Sequence, residues 1–105
     1  MDILVLCDDR WHPGEVVEKG MAFLKGEGFG LDFVKDAKDI LTPERIRRYP
    51  LLVNAKGNAI SCGNDAPWFE DGVTEVGPKE LQSYVREGGG FLSIHAGNSF
   101  TAKTC

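Results

Sequence analysis

Gly88-Gly89-Gly90-Phe91-Leu92-Ser93-Ile94-His95-Ala96-Gly97-Asn98-Ser99-Phe100 is the stretch on which the reading of this chain turns. Three glycines stop a preceding helix, since glycine enters the left-handed conformation of a helix end at no steric cost. Phe91 to Ile94 is short, mostly apolar and bounded by turn residues, as a strand covered on both faces must be. His95-Ala96-Gly97 then bends sharply toward a new helix. This sets a functional side chain at the carboxyl end of a strand, the geometry of a nucleophile elbow.

Working back from that point, Pro78 opens a helix in which Leu81, Tyr84 and Val85 share a face. Residues 55–77 carry Gly57, Gly63, Pro67, Gly72 and Gly77 with little periodicity, the mark of a long loop that is either functional or mobile. Within it Trp68 and Phe69 either cover a site as a lid or anchor the loop by burying two rings. Leu51-Leu52-Val53-Asn54 reads as a strand, preceded by a short helix with Thr42 as N-cap, Pro43 in the first turn and Pro50 as the stop. Leu31 to Val34 is a further strand, and residues 13–26 form a helix with Val17, Met21 and Leu24 at helical spacing. Ile3-Leu4-Val5-Leu6 is the first strand.

The pattern β-α-β-α-β-α-β predicts an α/β fold, a parallel sheet between two helical layers. In such sheets ligands bind beyond the carboxyl ends of the strands. The residues that fall there are Asp8, Asp9, Trp11, His12, Asn54, Lys56, Asn58, His95, Asn98 and Ser99. Only about four strands fit into 105 residues, so the chain reads as a single partial domain. Its last strand presents an apolar edge for a partner copy or for further polypeptide.

Several functions are excluded by residue type. A phosphoacceptor receiver needs an aspartate at the end of the third strand, where this chain has Asn54, and an amide accepts no acyl phosphate. Flavodoxin needs a Ser/Thr/Gly-rich phosphate loop after the first strand, but Asp8-Asp9-Arg10-Trp11-His12-Pro13 puts two acids there. No GxGxxG or Walker sequence occurs elsewhere. A net charge of -4 and a pI near 5.1 argue against nucleic acid, and Arg45, Arg47 and Arg48 cluster only locally beside Glu44. Neither a membrane span nor a signal peptide is present in the sequence, which points to the cytoplasm. Cys7, Cys62 and Cys105 form no CxxC pair and read as reduced thiols, with Cys7 a small core residue.

The run from Gly88 to Gly97 resembles the signature of the trehalose-utilisation (ThuA-like) family, and Trp11-His12 followed by Glu15 is similar to that family's motif after strand one. Strand spacing fits the same family over residues 1–100, about the first half of a usual family domain. The resemblance implies a flavodoxin-like, class I glutamine amidotransferase-like fold and action on a carbohydrate or polyol in sugar metabolism. True glutamine amidotransferases carry a nucleophilic cysteine at the turn where this chain has His95, so glutaminase activity is not expected.

On this reading His95 is the general acid or base, histidine being the residue type suited to proton transfer at an activated sugar carbon or hydroxyl. His12 is a second base or a metal ligand. Asp8, Asn58, Asn98 and Ser99 bind hydroxyl groups, and Trp11 stacks on a sugar face. The plainer alternatives are a hydrogen-bonded structural role for His95, a helix cap or surface role for His12, and packing under the first helix for Trp11. No cofactor is expected, a divalent metal being the alternative. The rival to an enzyme is a non-catalytic binding or assembly module that self-associates through strand four.

Overall fold

The computed structural model describes residues 1–9, 12–35, 41–57, 76 and 78–98. Four strands, β1 (Asp2–Leu6), β2 (Gly30–Val34), β3 (Leu51–Asn54) and β4 (Gly90–Ser93), form one sheet in the order β2-β1-β3-β4. Every pairing is parallel, with Leu4 opposite Asp32 and Leu52, and Leu52 opposite Phe91. This small α/β sheet is compatible with a flavodoxin-like layout.

Alternation along the strands sorts the core into two layers. Leu4, Leu6, Val34 and Leu52 face one way and pack with Leu41, Ile46, Val76, Leu81 and Tyr84. Ile3, Val5 and Val53 face the other way, against Val17, Met21 and Leu24. Those three belong to α1 (Gly14–Met21) and α2 (Phe23–Gly26), which together replace the single helix expected over residues 13–26. The break falls at Ala22, whose N–H reaches Lys19 O at 3.4 Å, a tightened turn in place of the regular ladder.

α3 (Pro43–Ile46) starts as its sequence predicts, with Thr42 Oγ1 accepting from the Arg45 N–H at 3.2 Å and Pro43 in the first turn. α4 (Pro78–Arg86) ends at Gly88, whose φ of 102° lets the Gly89 N–H reach back to Tyr84 O at 2.9 Å. That reversal feeds the chain directly into β4. Tyr84 secures the junction, its hydroxyl donating to Tyr49 O at 2.9 Å and Gly90 O at 3.2 Å. Leu81 and Tyr84 are buried as expected, but Val85 is 47% exposed at the rim of that face.

β4 is the outermost described strand on its side, and Leu92 and Ile94 are 50% and 40% exposed. Cys7 is fully buried at the end of β1, where burial pushes its thiol up to about 11. Near neutral pH it stays protonated, a packing residue and not a nucleophile. Among the described residues no helix is long and apolar enough to cross a membrane.

Candidate active site

Two chain reversals build the site, and each contains a non-glycine residue with positive φ: Asp8 at 78° after β1 and His95 at 50° after β4. L residues hold this conformation only where the surroundings impose it, and such residues cluster at functional sites. At Asp8 the imposing contacts are visible. Its N–H donates to His12 O at 3.0 Å, and its Oδ1 accepts from the Gly14 N–H at 2.9 Å, satisfying a free donor at the start of α1. Asp8, expected to bind a hydroxyl, has this oxygen engaged in closing the loop.

Asp9 turns the opposite way and is buried. Its carboxylate accepts from the His12 backbone N–H, from His12 Nδ1 at 2.9 and 3.0 Å, and from the Gly57 N–H at 2.6 Å. Burial by itself would raise the Asp9 carboxyl, but the Gly57 N–H and the two His12 donors outweigh it and hold the group below the ordinary carboxylate range. Asp9 is therefore an anion at neutral pH, and a carboxylate anion only accepts hydrogen bonds.

His12 carries the chain of contacts outward. Its Nε2 lies 2.9 Å from His95 Nδ1, with the ring centroids 5.1 Å apart and the planes at 60°. Residues separated by 83 positions in sequence thus meet through their ring nitrogens at the carboxyl ends of β1 and β4. The far ring, His95, is on the exposed side of the pair.

The His95 turn runs as a 310 helix, His95–Asn98, braced from below by β3. Asn54, fully buried, donates from Nδ2 to Gly97 O at 2.9 Å and accepts the Lys56 N–H on Oδ1 at 3.1 Å. Its backbone carbonyl accepts the Ile94 N–H at 2.9 Å. Where a receiver would keep its phosphoacceptor, this chain keeps a cross-brace. Lys56, also buried, donates from Nζ to Lys35 O at 3.3 Å, crossing toward the end of β2.

Of the residues predicted for the site, His12 and His95 are brought together and Asp8 lies beside them. Asn98 is in the 310 turn, with its side chain outside the described set. Trp11, Asn58 and Ser99 lie outside the described residues, as do Trp68 and Phe69. Asp9 and Gly57 complete the arrangement although neither was assigned a role in advance. The available signal was the Asp9-x-x-His12 spacing, which lets a carboxylate bind a ring and a backbone N–H three residues on. Among the described residues no group of three or more His, Cys, Asp or Glu side chains is placed to hold a metal ion. Chemically, an anion, a ring and a second, outward ring in series can move protons. No family model, curated protein or solved structure matches the chain.

Proposed function

We propose that this chain is a ThuA-like protein with the class I glutamine amidotransferase-like variant of the fold, and that it acts on a carbohydrate or polyol by proton transfer at His95. The observation that carries the reading is the hydrogen-bonded series Asp9, His12, His95 at the carboxyl ends of the strands. A carboxylate that orients one imidazole, which in turn engages a second, supplies a base without a nucleophile. Among the described residues no thiol competes for that role, since Cys7 is buried and its titration lies far above neutrality. Cleavage of an amide through a covalent intermediate is accordingly not the reaction proposed.

The test is a thermal-shift screen of wild type and His95→Ala against sugars, oxidised sugars and polyols, followed by incubation of each hit in D2O with NMR detection of exchanged carbon-bound protons. A ligand that binds the folded state at a hundred times its Kd stabilises by about 2.7 kcal/mol, enough for a shift of several degrees. We expect at least one compound to stabilise wild type and to exchange a proton, with both effects lost in His95→Ala. A screen without shifts, or exchange that persists in the variant, overturns the reading.

A second reading is favoured by one observation, the exposure of Leu92 and Ile94 at the outermost described strand and its end. On it the chain is an assembly module that self-associates through β4, without turnover. Sedimentation at micromolar concentration then gives a multiple of 11.5 kDa, and Leu92→Lys returns it to that mass. A wild-type monomer excludes this reading.

A further inference from the structure

We propose that Asp9, His12 and His95 form a proton relay with a fixed direction, in which Asp9 is a positioning residue and a proton taken up at His95 Nε2 is passed through the ring so that the charge comes to rest on His12. This rests on the proposed role of His95 as the proton-transfer group, but the polarity of the rings follows from geometry alone.

The direction is set from the buried end. Asp9 accepts from the His12 N–H, the His12 ring and the Gly57 N–H, and its two oxygens both lie within 3.0 Å of His12 Nδ1. An anionic acceptor there requires the proton of neutral His12 to sit on Nδ1. Nε2 of His12 then carries a lone pair and not a proton. The 2.9 Å approach of His95 Nδ1 to that lone pair requires a donor, so neutral His95 is also protonated on Nδ1. The accepting nitrogen of His95 is then Nε2, on the exposed ring. An imidazole side chain in water favours the opposite form, with the proton on Nε2, so the relay reverses the ordinary tautomer of His95.

Proton balance follows directly. A new N–H bond forms at His95 Nε2 as the donor molecule loses its proton. The Nδ1–H bond of His95 breaks as that proton moves 2.9 Å across to His12 Nε2. His95 is again neutral, now with its proton on Nε2, and His12 is an imidazolium hydrogen-bonded to the Asp9 carboxylate. In that state His95 Nε2–H is an acid, and reversal of the same two transfers returns the proton. One exposed ring thus serves as base and then as acid without bearing a lasting charge. Gly57 has a part in this through its N–H, which holds the second carboxylate oxygen at 2.6 Å and keeps Asp9 aimed at the ring.

The experiment is two-bond 1H–15N correlation NMR of the uniformly 15N-labelled full chain at a pH where both rings are neutral. With only two histidines in the sequence, single substitutions assign both spectra. We expect both wild-type rings in the Nδ1–H form. In Asp9→Asn the population of that form falls in both rings. In His12→Phe, which keeps a ring of similar size at a partly exposed position and guards against a folding defect in the Asp9 variant, His95 reverts to the Nε2–H form. Wild-type His95 found in the Nε2–H form overturns the relay, as does an unchanged His95 spectrum in His12→Phe. No ligand enters the measurement. Expected tautomers with an empty ligand screen would defeat the carbohydrate reading alone, and a positive screen with the wrong tautomers would defeat the relay alone.

Discussion

Gly97→Ala destabilises the domain by about 3 kcal/mol and displaces the His95 turn, the first through forced overpacking and the second because no side-chain rotation relieves it. A Cβ built on Gly97 stands 2.0 Å from Asn54 O and 2.9 Å from Asn54 C, both backbone atoms of a central strand. Asn54 O is already engaged by the Ile94 N–H, and the Asn54 amide holds Gly97 O, so the strand cannot retreat without breaking the brace. Gly30 provides the control. A Cβ there meets Asp2 Oδ1 at 2.2 Å, the far end of a flexible side chain on an exposed residue, which swings aside. Urea unfolding of the two alanine variants checks the contrast. A Gly97→Ala midpoint indistinguishable from that of Gly30→Ala would mean that the turn is not seated on β3.

Asp9→Ala is the second large effect, at about 3 kcal/mol, because it removes a buried acceptor and leaves the Gly57 N–H, the His12 N–H and the His12 ring proton to find others. The loss depends on pH with a definite sign. The folded-state pKa of Asp9 lies below its unfolded value of about 4. Its contribution is therefore complete above the unfolded pKa and disappears as pH falls from there through the folded value. The gap between wild type and Asp9→Ala is widest near neutrality and narrows below pH of about 4. Denaturation midpoints collected from pH 7 down to pH 3 test this, and a gap of constant width would assign the cost to packing and not to ionisation.

The sheet could be read from the chain because each strand is a short apolar run between glycine, proline or acidic punctuation, and the helices between them leave a parallel arrangement as the outcome. Helix boundaries were less legible. The interruption at Ala22 has no proline or β-branched run to announce it, and it is decided by how Val17, Met21 and Leu24 reach the face of β1 and β3. Strand-end placement pointed to His12 and His95 as candidates, since the topology alone brings those positions to one edge. Their direct contact was not legible, because it depends on the positive φ of His95 and on how the reversal after β1 aims the ring of His12. The partition between Asp8 and Asp9 was hidden for a similar reason. Two adjacent acids look alike in sequence, and only the reversal at Asp8 decides which one caps a helix and which one is turned inward to the ring. Asn54 reads in sequence as a substituted phosphoacceptor, and its role as a brace exists only once Gly97 is folded over it.

The brace also orders events in time. Asn54 and Gly97 are 43 residues apart, and the two histidine rings 83 apart. Closing such intervals costs chain entropy that nothing local returns, so contacts of this span form after the strands they join. The β1–β3 pairing has to be present before Asn54 can grip the turn, and the turn has to be gripped before His95 can meet His12. The meeting of the rings therefore depends on the seating of the turn on β3. β4 is the outermost described strand on its side, and its release from β3 separates the rings.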